Sequence, residues 1–219
     1  MPPAARDGSG HELTESVYRV SMTDAAEVKR DRIVAAALGV FGRYGYRRTS
    51  MDMIARAARM SRPAVYLYFT GKEEVFRAVA QKFAADIVDA AQAARRSGRP
   101  IADRLYDVLA VKADFFAGAV EAEYRAELFA EAEAIVEDVM SSFESAYLSV
   151  VEATLRDAAG ELDLLGVALS AHDAAAVLVD ALAGIVRQRA EPAVPRERLR
   201  QLTELAVRGL AGRPAALQA

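Results

Sequence analysis

Residues 49–75 read TSMDMIARAARMSRPAVYLYFTGKEEV, and this stretch decides the fold of the chain. It predicts a short helix over residues 50–58, a tight turn, a second short helix after Ser61 and the start of a longer helix. Thr49 is the candidate cap of the first helix, and Pro63 suits the first turn of the second, where its missing N–H costs nothing. A helix-turn-helix unit needs this layout to place one helix in the DNA major groove.

The residues of the two short helices divide into an inward and an outward set. Ile54, Ala55 and Ala58 form a packing stripe on the first helix. Val65 and Phe69, four residues apart, face inward on the second. The outward set carries two tyrosines and a leucine, which a solvated helix rarely does, so this surface predicts a partner. Its members are Arg62, Pro63, Ala64, Tyr66, Leu67 and Tyr68.

The chemistry of several neighbouring side chains suits DNA. Arg62 at the helix start can reach a guanine edge or a phosphate, and tyrosine hydroxyls can donate to phosphate oxygens. Lys72 lies at the N-terminus of the next helix, which is a favourable place for a phosphate. Arg43, Arg47 and Arg48 flank the unit and would add sequence-independent attraction, although a solvated face is the alternative.

Helical patterns continue through the rest of the chain and predict an all-α fold. Residues 1–23 mix Pro, Gly, Ser and charge, and are predicted to be a disordered tail. A three-helix helix-turn-helix domain is assigned to residues 24–79, and a larger helical domain for ligand binding and dimerisation to residues 80–219. Thr70 with Glu73 predicts a capping box where the long connecting helix begins. The other predicted helices span residues 25–44, 101–117, 121–135, 136–159, 170–189 and 196–210.

Composition restricts the kind of site. The 219 residues include no Cys and only two His, His11 and His172, which argues against disulfides, zinc and His-based catalysis. No metal or cofactor is expected. No apolar run approaches the roughly 18 residues of a membrane span, and no signal pattern opens the chain, so a soluble cytoplasmic protein with no membrane partner is expected.

The net charge of −3 conceals an asymmetry. Residues 24–79 hold eleven basic and six acidic side chains, whereas residues 80–219 hold fifteen basic and twenty-two acidic ones. A basic lobe on an acidic body predicts a polyanion partner for that lobe only, with chance fluctuation as the alternative.

Two groups of apolar residues in the second domain are candidate binding surfaces. Aromatic side chains between residues 101 and 150 can line an apolar cavity, with three tyrosines as polar handles, or can simply fill a core. These candidates are Tyr106, Phe115, Phe116, Tyr124, Phe129, Met140, Phe143 and Tyr147. The last two helices have broad apolar faces rich in small residues, which suit either a four-helix dimer interface or packing within the chain. Their candidates are Val177, Leu178, Ala181, Leu182, Ile185, Leu202, Leu205 and Leu210.

Five short motifs follow one another within about residues 29–80. They are F-x-x-x-G-Y-x-x-T from Phe41 to Thr49, I-A-x-x-A from Ile54 to Ala58, Ser61, Y-x-Y-F from Tyr66 to Phe69, and K-E at Lys72 and Glu73. The combined pattern resembles the TetR family of bacterial transcriptional regulators. The resemblance implies a homodimer, an effector-binding C-terminal domain and a palindromic operator. By position it also implies base contacts from Arg62, Pro63, Ala64, Tyr66 and Leu67, and phosphate contacts from Thr49, Tyr68 and Lys72.

Three residues depart from the usual pattern of that family. Arg59 stands where the family has a turn glycine, which requires a non-glycine residue in a left-handed conformation. Arg59 can compensate by reaching a phosphate. Pro63 and Ala64 replace a frequent Gly-Thr pair and remove a hydroxyl that can contact DNA.

The main hypothesis is therefore a regulator of transcription that binds double-stranded DNA as a dimer and is released by a small hydrophobic effector, most simply a repressor. One alternative is a DNA-binding protein that responds to no effector. The other is a small all-α enzyme that uses the cavity, against which stand the absent Cys, the two His and the lack of any paired-carboxylate or phosphate-loop motif.

Overall fold

The computed structural model describes residues 9–119, 124–163, 165, 169–187 and 193–212. Helices dominate these residues, whose one β feature is an isolated bridge between Leu165 and Leu169, and the predicted all-α fold is confirmed. None of the helices described is long and apolar enough to cross a membrane. The helices are α1 (Ser9–Arg48), α2 (Met51–Ala57), α3 (Arg62–Tyr66), α4 (Lys72–Arg95), α5 (Ile101–Ala119), α6 (Arg125–Ile135), α7 (Glu137–Arg156), α8 (Ala171–Arg187) and α9 (Ala193–Leu210).

Buried apolar residues form two cores that share helix α4. The head core includes Ile33, Phe41, Ile54, Val65, Phe69 and Val75. The body core includes Ile87, Leu105, Leu109, Tyr147, Leu155 and Leu182. The head core also takes in Ala132, Val136 and Val139 from α6 and α7. The predicted boundary between residues 79 and 80 stays a prediction, and the head packs directly on the α6–α7 junction.

The chain between α1 and α3 is shaped by local signals. Gly45 interrupts α1 with φ 73° and ψ 171°, a region that glycine alone occupies readily. Ser50 caps α2 by accepting the Met53 N–H, and Ser61 caps α3 by accepting the Ala64 N–H. The expected left-handed turn residue is confirmed, since Arg59 has φ 54°. The left-handed Arg59 and the Ser61 cap together set the turn between α2 and α3.

Several local predictions differ from the structure. α1 begins at Ser9, so residues 9–23 are helical rather than a tail, because no Gly or Pro interrupts residues 11–38. Residues 1–8 lie outside the described part. Ser50 rather than Thr49 caps α2. The hydroxyl and backbone N–H of Thr70 both donate to Glu74 rather than Glu73, because the carboxylate four residues on lies nearest to them.

Replacing Arg59 by glycine is expected to raise the free energy of unfolding by roughly 0.5–1 kcal/mol. Relief of the left-handed backbone outweighs the extra entropy that glycine adds to the unfolded chain. Urea unfolding in the absence of DNA measures the change in the free energy of unfolding. Arg56→Gly is the control: in the last turn of α2, where the backbone is right-handed helix, it should lower stability by up to about 1 kcal/mol. A loss of stability with Arg59→Gly would show that the turn needs the arginine side chain.

Candidate nucleic-acid interface and body cavity

The outer face of α3 is the exposed surface that the sequence predicts. Tyr66 is 42% exposed and Leu67 is 82% exposed, whereas Val65 and Phe69 are buried in the head core. Arg62 and Pro63 are exposed and Ala64 is half-buried. An apolar and aromatic surface of this kind, backed by a rigid core, is suited to contact another molecule. The exposed members are Arg62, Pro63, Tyr66 and Leu67.

Arg62 and Tyr66 act as one unit on this face. The Arg62 guanidinium carbon lies 5.6 Å from the centre of the Tyr66 ring, and its Nη2 donates to the Tyr66 hydroxyl at 3.4 Å. This hydrogen bond raises the pKa of Arg62, which stays cationic. The pair is one turn of helix apart and places a positive charge beside an aromatic ring. Such a pair can donate to guanine or to phosphate oxygens.

Three residues predicted to contact phosphates have structural partners of their own. Thr49 is buried, and its hydroxyl donates to the Gly45 carbonyl at 2.7 Å, so its side chain is not available to DNA. Tyr68 is half-buried against the head core. The Lys72 ammonium donates to the Tyr46 carbonyl at 3.0 Å and lies 4.2 Å from the Tyr46 ring centre. Lys72 therefore ties α4 to the end of α1.

Two arginines expected to flank the DNA surface contact the body instead. Arg47 Nε donates to Glu131 at 2.7 Å, and the Arg47 backbone N–H donates to Glu127 at 3.2 Å. Arg48 Nη1 donates to the Tyr124 hydroxyl at 2.7 Å and lies over its ring. Their partners are 76–84 residues away in sequence, so sequence spacing did not reveal them.

A third arginine strengthens the same junction. Arg77 Nη1 donates to both carboxylate oxygens of Asp138, at 2.7 and 2.8 Å, and its Nη2 donates to the Ile135 carbonyl at 3.2 Å. The hydrogen bond from Arg77 lowers the pKa of Asp138. Because Val136 has non-helical dihedral angles, α6 and α7 are separate helices here. The head is thus held by residues on both sides of the α6–α7 break.

Those proposed pocket residues whose side chains are described lie in different parts of the body. Tyr147 is fully buried in the body core, and its hydroxyl donates to the Val108 carbonyl at 3.0 Å. Tyr106 lies under Arg200, and Phe115 packs edge-on against Phe83. Tyr124 lies at the junction with the head, and the side chains of Phe116 and Phe129 lie outside the described part. Helical periodicity places a residue on a face, but it does not say which faces meet.

A cavity of about 300 Å³ opens elsewhere in the body, between α5, the α6–α7 junction and α8. Of the predicted lining residues whose side chains are described, Met140 and Phe143 line it. The described lining residues are Lys112, Glu133, Glu137, Met140, Ser141, Phe143, Glu144, Leu182, Ala183 and Val186. The volume is at the lower end of the range for small-molecule sites. In the described ranges, no cluster of three or more His, Asp or Glu side chains could hold a metal ion.

Lys112 is the residue of this cavity that sequence reasoning missed. Its ammonium lies 5.1 Å from the centre of the Phe143 ring and 4.9 Å from that of Tyr147. Burial lowers the pKa of Lys112, and the nearby Glu144 partly offsets that effect. The signal was present in the sequence: Lys112 follows the buried Val108 by four residues and Leu109 by three, which places it on the inward face of α5.

The proposed dimer residues divide between core and surface. Leu178 and Leu182 are buried in the body core, so they serve packing within the chain. Leu202 and Leu210 also pack against that core. Val177 is 60% exposed and Leu205 is 72% exposed, and Ala181 and Ile185 are half-buried. The exposed apolar surface of α8 and α9 therefore includes fewer residues than the predicted interface.

The fold and the exposed α3 face define an all-α protein with an N-terminal helix-turn-helix. Residues 33–79 match the family model described as bacterial regulatory proteins, tetR family. The match covers the helix-turn-helix head and identifies it as a TetR-family domain.

Two curated relatives match about a quarter of the chain at about half identity. Over 57 residues the chain is 51% identical to the uncharacterized HTH-type transcriptional regulator TtgW of Pseudomonas putida, covering 25% of this chain and 42% of that protein. It is 50% identical over 54 residues to the HTH-type transcriptional regulator SrpR of Pseudomonas putida, covering 25% of each. The chain thus spans less than half the length of these two relatives.

Solved structures extend the fold similarity over most of the chain. The TetR-family transcriptional regulator SCO4454 from Streptomyces coelicolor superposes with a TM-score of 0.66 at 19% identity, covering 84% of this chain and 96% of that one. SmeT, the repressor of the Stenotrophomonas maltophilia multidrug efflux pump SmeDEF, superposes with a TM-score of 0.59 at 22% identity, covering 87% and 96%. At these identities the similarity concerns the fold.

Proposed function

We propose that this chain is a DNA-binding transcriptional regulator that acts as a homodimer and releases its operator when a small molecule binds the body. The observation that carries the proposal is the α3 face, where Arg62, Tyr66 and the C-cap residue Leu67 are exposed on the side opposite the head core. DNA is a cytoplasmic partner, so a cytoplasmic location follows. Repression follows if the operator overlaps a promoter.

The proposed dimer uses the outward parts of α8 and α9. Val177 and Leu205 are large apolar side chains left mostly in water, with Ala181 and Ile185 half-buried along the same helix as Val177. A two-fold axis beside α8 and α9 would cover them in an isologous interface. The same axis would present two α3 helices to successive major grooves, about 34–36 Å apart, so the operator would be palindromic.

The proposed effector response uses the α6–α7 junction. Glu133 and Glu137 line the cavity, while Glu131 and Asp138, one or two residues away, hold Arg47 and Arg77 of the head. A ligand that shifts this junction would move the head relative to the body and change the spacing of the two α3 helices. Only a ligand with different affinity for the two arrangements can do so, and DNA must then weaken ligand binding equally.

Two other functions remain as alternatives. A DNA-binding protein without an effector would retain its operator whatever fills the cavity. An enzyme would need reactive groups around that cavity, where Lys112 and the exposed Glu133, Glu137 and Glu144 are the titratable side chains. The helix-turn-helix regulators among the relatives favour regulation over catalysis.

Selection of bound fragments from genomic and random DNA tests the proposal. The selected site is expected to be a palindrome that binds one dimer or more, measured by gel shift and light scattering. If six or more phosphates are neutralised, affinity should fall about a thousandfold or more between 50 and 200 mM salt. Selection that yields no shared sequence, with only weak binding, would contradict the proposed function.

A further inference from the structure

We propose that the body cavity binds a small amphipathic molecule with a single anionic group, such as a monocarboxylate, whose anion pairs with the Lys112 ammonium. The inference deepens the proposed function and rests on it for the regulatory consequence. The geometry consists of a cavity of about 300 Å³, one inward lysine and three exposed carboxylates.

Among the residues that the structure describes, the side chain of Lys112 has no anionic partner at contact distance. It lies over the Phe143 and Tyr147 rings, and nothing in the described chain accepts a hydrogen bond from its ammonium. Glu144 acts on it only at longer range. A half-buried ammonium gains from a carboxylate that both pairs with its charge and accepts its protons, because such charge-assisted bonds are stronger where less water is present.

A cationic ligand fits this arrangement less well. The faces of Phe143 and Tyr147 are where a ligand cation would bind, and Lys112 already occupies them. A second cation there would be repelled by the first. The inner wall beyond Lys112 is apolar, with Met140, Leu182 and Val186 available for a hydrocarbon body.

The exposed carboxylates restrict the ligand to one negative charge. Glu133, Glu137 and Glu144 line the solvent side of the cavity and are defined here as the acidic rim. A second anionic group, projecting from the cavity, would face this rim and be repelled. The volume holds roughly ten non-hydrogen atoms at the ~30 Å³ that a water-sized group occupies.

Four eight-carbon compounds test the inference on the full chain without DNA. Octanoate, 1-octanol, octylammonium and octanedioate share a similar body and differ in charge. By calorimetric titration, octanoate is expected to bind about 10- to 100-fold more tightly than octanol, the gain typical of a charge-assisted hydrogen bond. Octylammonium and octanedioate are expected to bind more weakly than octanoate. If octanol, octylammonium or octanedioate matches octanoate, the inference is wrong.

Variants of Lys112 locate the effect. Lys112→Met keeps the length and removes the charge, and should abolish the advantage of octanoate over octanol, whereas Lys112→Arg should retain most of it. Lys82→Met is the matched control, because it removes a lysine from the surface of α4, where Lys82 pairs with Asp86. If octanoate still binds Lys112→Met more tightly than octanol does, the inference is wrong. If a variant does not fold, the comparison of octanoate with octanol on the wild-type chain still tests the inference.

Operator binding then separates this inference from the proposed function. Octanoate that binds through Lys112 and weakens the complex with the selected operator supports both. Octanoate that binds through Lys112 without changing operator affinity supports the ligand site and contradicts the effector response. Operator release by octylammonium or octanol, but not by octanoate, supports the effector response and contradicts the assignment of an anionic ligand.

Discussion

Tyr66→Ala is expected to weaken binding to the selected operator by about ten- to hundredfold, the range for losing one good contact to a base or a phosphate. The substitution removes an exposed ring and also the partner that orients the Arg62 guanidinium, since the two side chains share a hydrogen bond of 3.4 Å. Fluorescence anisotropy at fixed salt measures the loss, because affinity for DNA has no meaning without the salt concentration.

A double-mutant cycle shows whether the two side chains act together. The loss of DNA-binding free energy in the double variant should be smaller than the sum of the losses in Arg62→Ala and Tyr66→Ala. The difference, which is the coupling energy, should be about 0.5–3 kcal/mol. Tyr44 on α1 provides a matched control, because it is 39% exposed and has Arg43 5.6 Å from its ring centre. The fold-change in affinity caused by Tyr44→Ala should be at most a tenth of the fold-change caused by Tyr66→Ala. Equal losses in two folded variants would mean that α3 is not the helix that reads DNA.

Tyr147→Ala is expected to lower the free energy of unfolding by about 4 kcal/mol, as large-to-small changes of buried aromatic residues do. Tyr147 is fully buried, and its hydroxyl donates to the Val108 carbonyl. Burial raises the pKa of this phenol, which therefore remains a neutral donor. Urea unfolding followed by circular dichroism measures the loss.

Graded variants separate the ring from the hydroxyl. Tyr147→Phe keeps the packing and should cost about 1 kcal/mol, the net contribution of one hydrogen bond. Tyr106→Ala is the control, because Tyr106 is half-buried under Arg200 and should cost less than half as much as Tyr147→Ala. A small loss with Tyr147→Ala would instead favour the pocket-lining role that the sequence suggested.

The parts of the head that were predicted correctly depend on neighbours in sequence. Ile54 and Ala58 lie one turn apart, as do Val65 and Phe69, so periodicity alone marks them as inward, and all four are buried. Ser61 caps α3 through an N–H three residues away. The left-handed conformation of Arg59 was predicted because Arg59 stands where the family has a turn glycine, and the structure has it.

Some predicted site residues have contacts within the chain to residues far away in sequence, which local patterns do not reveal. Arg48 is a residue type that commonly contacts phosphate, yet here its guanidinium donates to the hydroxyl of Tyr124 across the junction of head and body. Leu178 and Leu182 have the spacing of an interface, yet the body core covers them. A helical stripe indicates that a face is apolar, but it cannot distinguish a partner chain from the helix next to it.

Local signals in the chain were enough to predict the all-α class, the inward residues of α2 and α3 and the outward face from Arg62 to Leu67, because caps, breaks and periodicity act within a turn or two of helix. The position of the cavity, the place of Lys112 in its lining, and the double role of the α6–α7 junction in lining the cavity and holding the head became visible only in the packed helices. Those facts require α5, α7 and α8 to pack together, and packing depends on the complementary shapes of residues distant in sequence.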